Sequence, residues 1–366
     1  MRILQLSSES SWRGGEQQIA YLVEELAKKN ISPIIAGREA SKFSEYAADS
    51  KWQYLNLGMK NSLDFRSALL LKKICKEKTI DILHAHSSRS HSIAHLASLL
   101  GNNKPIVVSR RVDFPPKDNV ISRHKYNMAN VKRIACVSKA IENMISPILT
   151  NQEKCTTIYS GIDHSKFSET LASEWLRKKY ELDKDTILIG NTSAIAPHKD
   201  YFTFVDTAEH FIKNNENIKV KFFIIGTGPM EQEIKGYVAR KKMQSDIVFT
   251  GFLDNMTEVL PSLDIFFISS ETEGLGTSIL DAFACKVPVV ATEAGGIPEI
   301  VINEKTGLTA AVKDAEALSN QLQMLIKNDT LRIQLTLAAH EKALAMSKEK
   351  MAAQYFDMYE EILYAG

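Results

Sequence analysis

The sequence predicts an α/β protein made of two parallel-sheet domains and a closing helix. Three observations carry that expectation. Short apolar runs alternate with longer amphipathic runs along the chain, as successive βαβ units require. The alternation comes in two series, separated by a polar connector, "IYSGIDHSKFSET" at 158–170. The length of 366 residues favours two domains over one, and 44% hydrophobic with 24% charged residues is an ordinary globular mix.

In the first series, "RILQLS" (2–7) reads as a buried strand. Residues 15–29 read as a helix with Ile19, Leu22, Val23 and Leu26 on one face. "SPIIAG" (32–37) is the next strand, "SALLLKKICKEKT" (67–79) a helix, and "DILHAH" (81–86) a strand. "SIAHLASLLG" (92–101) is a helix closed by Gly101. "KPIVVSRR" (104–111) is a strand, and "RIACVSKAIENMI" (133–145) a strand turning into a helix. The second series opens with strand "TILIGNTS" (186–193) and helix "YFTFVDTAEHFIKN" (201–214). Strand "VKFFIIGTG" (220–228) leads into a helix with Pro229 suited to its first turn. "DIVFTGF", "LDIFFISS" and "PVVAT" are further strands, 315–327 and 330–346 two helices, and 351–365 the last. The expected domains are 1–165 and 166–345, with 346–366 as the C-terminal helix.

A formal net charge of +1 offers no field for nucleic acid. The four cysteines are far apart with no CxxC, so they read as reduced, mostly buried thiols. "MRILQLSS" enters a strand directly, without a signal-peptide pattern, and no apolar run approaches the roughly 18 residues of a membrane span. A cytoplasmic protein is expected.

Ligands of open parallel sheets bind beyond the carboxyl ends of the strands, so the polar residues there are the candidates. Gly14 and Gly15 follow the first strand. They allow close backbone approach, and the helix start offers N–H groups to an anion; the plain alternative is a tight turn with a glycine N-cap. His84 and His86 are expected on opposite faces of their strand end, His84 packed inside and His86 toward the ligand, with Ser87 capping the next helix. His91 and His95 lie at i, i+4, but no HExxH glutamate accompanies them, and no metal is assigned. Arg110 and Arg111 end a strand and suit an anion; the plain alternative is a solvated basic pair, with Asp113 pairing one of them. Lys199 precedes a helix, a phosphate-site context. Gly226 and Gly228 make a tight turn suited to a nucleotide's edge. In "SSETEGLGTSILDAF", Glu273 precedes a glycine turn and Asp281 lies on the helix starting near Thr277. The amides of Leu275 to Thr277 face an anion, with one acid on each side, a layout that fits a nucleotide sugar.

The segment "EGLGTSILDAFACKVPVVATEAGGIPEIV" resembles the signature of retaining family 4 glycosyltransferases with the GT-B fold. Those enzymes usually carry Glu-x7-Glu; here it is Glu273-x7-Asp281. "DILHAH", "IACVSKAI", "IYSGID", "IIGTGP", "FTGFLDN" and "EKTGL" agree in order, over nearly the whole chain. The resemblance implies two facing Rossmann-like domains, the acceptor mainly on the first and the nucleotide sugar mainly on the second, with the last helix crossing back. It implies that Glu273 contacts the donor sugar and Asp281 the ribose. Lys199 and the Gly14-Gly15 loop would contact the diphosphate, backbone from Gly274 through Leu275 and Gly276 to Thr277 would support the phosphates, and His86 would lie near the reacting sugar. The family's arginine five positions before the lysine is Ala194 here.

The expected reaction is metal-independent, retaining glycosyl transfer, with no cofactor beyond the donor substrate. A front-face attack is expected, with Lys199 and backbone N–H groups stabilising the leaving diphosphate and Glu273 positioning. The D-x-D at Asp183 to Asp185 reads as a surface loop. A cell-envelope glycan or glycolipid is the expected acceptor, a small molecule the alternative. The basic cluster at 123–126 and Lys132-Arg133 allows peripheral contact with the inner membrane face. Competing readings are a GT-B epimerase or phosphorolytic enzyme, a dinucleotide oxidoreductase (which would need an N-terminal GxGxxG), and a non-catalytic nucleotide-sugar binder. No oligomeric state is implied.

Overall fold

The computed structural model describes residues 1–167 and 173–364. The connector's end, 168–170, and the last residue read as helical, 365, lie outside them. The chain divides into two units, Met1–Gly161 with Ser347–Gly366, and Ile162–Met346.

The first unit carries a seven-stranded sheet of β1 (Ile3–Leu6), β2 (Ile34–Gly37), β3 (Gln53–Asn56), β4 (Ile82–Ala85), β5 (Ile106–Arg110), β6 (Val131–Cys136) and β7 (Cys155–Thr157). Its order is β3-β2-β1-β4-β5-β6-β7, and every pair is parallel. The helices are α1 (Gly14–Lys28), α2 (Lys42–Asp49), α3 (Phe65–Glu77), α4 (Ser88–Leu99), α5 (Val120–Asn127) and α6 (Lys139–Ile145). β1, β2, β4 and β5 are buried throughout, so their sequences run nearly continuously apolar instead of alternating.

The second unit holds α7 (Trp175–Lys179), β8 (Ile187–Thr192), α8 (Tyr201–Asn214), β9 (Val220–Ile225), α9 (Glu231–Arg240) and β10 (Ile247–Gly251). It continues through α10 (Met256–Val259), β11 (Ile265–Ile268), α11 (Thr277–Ala284), β12 (Val289–Thr292), β13 (Leu308–Ala310), α12 (Ala315–Lys327) and α13 (Asp329–Ala345). The six strands lie in the order β10-β9-β8-β11-β12-β13, all parallel. Both sheets therefore have the doubly wound order, with a switch point between the unit's first and fourth strands. That point flanks the β1–α1 and β4–α4 loops in one unit, and the β8–α8 and β11–α11 loops in the other.

The final helix, α14 (Lys348–Tyr364), returns to the first unit. Met351, Tyr355, Met358 and Tyr359 pack with Tyr21, Leu22 and Leu26 of α1. Tyr359 reaches His84 Nδ1 at 2.5 Å, and Tyr355 pairs with Ser109 at 3.0 Å. A Cβ on Gly161 would lie 2.6 Å from Lys348 Cα, so the outgoing and returning chain cross at a glycine. Gln18 clamps that crossing, donating to the Gly161 carbonyl and accepting from its N–H, both at 2.8 Å.

Some local expectations change. Pro229 lies before the N-cap Met230 of α9, not in its first turn. α1 is entered from Arg13, with Gly14 its first residue, so the glycine N-cap is not formed. α4 starts four residues before the expected 92, and Ser87 caps it in a capping box with Ser90. Strands β3, β7 and β13 were not legible: β3 is a half-exposed edge strand, and the other two have three residues each. Cys136 and Cys155, distant in sequence, come close on the paired strands β6 and β7, and their thiols influence each other's ionisation. Among the described residues no helix is long and apolar enough to cross a membrane.

Candidate functional site

In the second unit the two switch-point loops are bound to each other. Pro197–Lys199 forms a 3-10 turn, and Asp200, at φ 44°, caps α8 by accepting from Thr203 N–H and hydroxyl at 3.2 and 2.6 Å. The Ser269 hydroxyl donates to the carbonyls of Lys199 and Asp200 (3.2 and 3.0 Å), and Glu271 N–H donates to the His198 carbonyl (2.9 Å). These bonds place Lys199 against Glu273. The ammonium and the carboxylate form an ion pair whose side chains are only 15% and 10% exposed. Ser270 donates to the same carboxylate oxygen at 2.9 Å. From another side Gly296 N–H donates to the Glu273 carbonyl (3.0 Å), and Gly295, at φ 53°, leaves no space there for a Cβ.

The cap on α8 is a feature sequence reasoning missed. Asp200, visible beside Lys199, takes a first-turn amide of that helix. α11 differs: its N-cap is Gly276, at φ 85°, with no side-chain cap. The amides of Thr277 and Ser278 thus have no side-chain partner at the cap, and a helix start of this kind favours an anion. Leu275 is buried beneath the turn. Gly226 (φ 145°) and Gly228 allow the β9–α9 turn to pack on 193–195; a Cβ on Gly226 would strike the Ser193 carbonyl. Ile195 N–H donates to the Thr227 carbonyl (3.1 Å), and Met230 N–H donates to that of Ile195 (3.0 Å).

Asp281 stands in the second turn of α11. The residue is partly exposed, and the protein packed around it desolvates its carboxyl. Burial pushes its pKa up to about 7, against the opposing charge of Lys166. Cys285, one turn on, is pushed up to about 12 by burial and by Asp281. Asp183 and Asp185 are exposed and share Lys219 at 2.8 and 3.1 Å, a surface loop as read.

In the first unit, the switch-point residues Gly15 and His86 meet Arg111. Arg111 Nη1 donates to the Gly15 carbonyl and to His86 Nδ1, both at 3.4 Å. His86 Nε2 lies 2.6 Å from Gln5 Oε1. Burial, His84 and Arg111 hold its pKa well below the ordinary histidine value, so the ring is neutral, with Nε2–H donating to Gln5. The expectation that His84 and His86 point to opposite faces is wrong. Residues two apart in a strand share a face, and the ring centroids are 3.8 Å apart. His84 is fully buried between Tyr359 and Ser109, as expected of the inner histidine. Arg110 is 4% exposed; it donates to Tyr126 hydroxyl (3.1 Å) and to the Phe114 carbonyl. A Cβ on Gly15 would meet nothing within 4 Å, so no protein contact requires that glycine. His91 and His95 meet the rings of Tyr126 and His124 respectively in edge-to-face contacts. Among the described residues no group of three His, Cys, Asp or Glu is placed to hold a metal.

Comparison with known proteins follows this geometry. Residues 12–166 match Glycosyltransferase Family 4, and residues 173–342 match Glycosyl transferases group 1. The N-acetyl-alpha-D-glucosaminyl L-malate synthase of Bacillus anthracis is 26% identical over 309 residues, 82% of this chain and 80% of its own. The UDP-Gal:alpha-D-GlcNAc-diphosphoundecaprenol alpha-1,3-galactosyltransferase of Escherichia coli is 24% identical, over 74% of this chain and 72% of its own. Among solved structures, Anabaena HepE in complex with UDP-glucose superposes with a TM-score of 0.86 at 16% identity, covering 99% of this chain and all of that one. A glycosyltransferase from Rickettsia africae gives 0.83 at 20% identity, covering 100% and 99%. The chain belongs to the GT-B glycosyltransferases, with a family 4 first domain and a group 1 second domain.

Proposed function

We propose that this protein transfers a sugar, with retention, from a nucleotide diphosphate sugar to a cell-envelope glycan or glycolipid. The observation that carries the donor assignment is the buried Lys199–Glu273 pair beside the uncapped start of α11. In a free site the cation is neutralised by the acid. A diphosphate offers Lys199 a second anionic partner, and the freed carboxylate then accepts sugar hydroxyls. Lys199 and the α11 amides would stabilise charge on the departing diphosphate, where electrostatic preorganisation has its largest effect. Retention is assigned to front-face attack, the leaving phosphate taking the acceptor proton. Glu273 positions the sugar, and no metal is required. Asp281 is assigned the ribose hydroxyls. The glycolipid reading is supported by the lipid-diphosphate acceptor in the Escherichia coli relative's name. A small-molecule acceptor is the second reading, favoured by the malate named in the Bacillus anthracis relative. The protein is proposed to work in the cytoplasm, at the inner membrane face when its acceptor is a lipid.

The test is a donor screen with UDP, GDP and ADP sugars, with and without a chelator, on wild type and on Lys199→Met and Glu273→Gln. Each variant is expected to keep its fold by circular dichroism and lose about 10²–10³-fold in turnover. Full activity in both variants refutes the site, loss of activity on chelation refutes metal independence, and an inverted product anomer refutes retention.

A further inference from the structure

The first unit contains a cavity of which the donor reading uses no residue but His86. Its wall is made by the ends of β4 and β5 and the start of α4, and includes His86, Ser88, His91, Arg110, Arg111 and Tyr126. The two guanidinium groups bring positive charge to it, and among the described residues their hydrogen bonds go to neutral acceptors. These are the Tyr126 hydroxyl, the Phe114 and Gly15 carbonyls, and His86 Nδ1. Glu16, the buried acid whose charge reaches Arg111, is hydrogen-bonded to Ser7 at 3.1 Å instead. Lys125 adds to the field; burial, and then Arg110, push its ammonium down to about 8.

The wall also contains buried polar atoms that make no well-formed hydrogen bond among the described residues, although the Lys125 backbone comes within bonding reach of the His91 ring. His91 is fully buried, and neither ring nitrogen makes a well-formed hydrogen bond among the described residues; the same holds for Arg110 Nε. Leaving such groups unpaired costs about 1–3 kcal/mol each, so their persistence needs a reason. α4 is a twelve-residue helix whose cap, Ser87, accepts from Ser90 N–H, leaving the earlier first-turn amides to other acceptors. Among the described residues Arg111 makes two long hydrogen bonds of 3.4 Å, which a charged ligand would readily replace.

We infer that this cavity binds an oxyanion, a phosphate or carboxylate group carried by the acceptor substrate, with Arg111 as the movable ligand and Arg110, His91 and the α4 start as the fixed wall. The inference rests on the transferase reading for the word acceptor, but the binding site itself does not depend on it.

The experiment titrates inorganic phosphate, and in parallel succinate, into the full chain held at saturating UDP or GDP, so that the nucleotide site is already filled. Calorimetry on wild type should show saturable binding of at least one of the two anions. Arg111→Gln and His91→Phe should each weaken it about tenfold or more, while nucleotide affinity, which reports an intact fold, stays unchanged. A second arm measures capture by phosphatidylcholine vesicles with and without phosphatidic acid. Capture that needs phosphatidic acid and is lost in Arg111→Gln assigns the group to a lipid headgroup; binding of the free anion without capture assigns it to a soluble acceptor. No anion binding by wild type, or equal affinity in both variants, overturns the inference. If anions bind as expected but no sugar nucleotide is hydrolysed or transferred, the transferase reading fails and the oxyanion site stands. If transfer proceeds equally in wild type and Arg111→Gln with anionic acceptors, the oxyanion site fails and the transferase reading stands.

Discussion

Asp281→Asn separates a carboxylate that binds from one that is merely tolerated. Burial raises this carboxyl from an ordinary 3.8 to about 7. The native state therefore holds a proton at pH values where the unfolded chain has already lost it. Stability then falls as the pH rises from about 4 towards 7, and levels off above. The full difference corresponds to about 4 kcal/mol. Asparagine has no such titration. The stability gap between variant and wild type should therefore widen in the variant's favour by roughly 2–3 kcal/mol between about pH 5 and about pH 8. Denaturant unfolding of both proteins at the two pH values measures it, and the comparison cancels every other titrating group. The proposed ribose contact adds a second signature. Hydroxyl donors prefer the ionised carboxylate, so wild-type affinity for the nucleotide should rise by up to about tenfold per pH unit below 7 and then flatten. In Asp281→Asn it should be weaker and flat. A gap that does not change with pH would show that the carboxyl is not desolvated. A pH-dependent gap with unchanged nucleotide affinity would remove Asp281 from the ribose site.

Two further perturbations test the scaffolding. Gly228→Ala would put a Cβ 2.6 Å from the backbone N and C of Ile195, so the β9–α9 turn must move; a loss of about 1–3 kcal/mol and weaker nucleotide binding are expected by denaturation and calorimetry, and unchanged values would show that the turn yields freely. Tyr359→Phe removes the 2.5 Å partner of fully buried His84, and should cost about 1–3 kcal/mol in denaturant unfolding; wild-type stability would mean that the ring finds another partner.

The residues themselves determined a good deal here. The two series of buried apolar runs specify two parallel sheets, because only strands covered on both faces carry uninterrupted Ile, Val, Leu and Phe. Gly276 before Thr277 marks a helix start, which the structure builds at φ 85°, and Ser87 announces the cap of α4. The apolar face of 351–365 requires a surface to bury it. Other features exist only in three dimensions. Lys199 and Glu273 are paired because the doubly wound order sets β8 beside β11, bringing two loops 74 positions apart to the same switch point. The error over His84 and His86 had a different origin: the period of a strand already places them on one face, and the 3.8 Å between their rings makes that plain. The desolvation of His86 and Asp281 and the poorly satisfied nitrogens of His91 likewise arise only in the tertiary structure. Desolvation and unpaired hydrogen-bonding groups depend on which distant atoms exclude water from a side chain, and no local spacing encodes that.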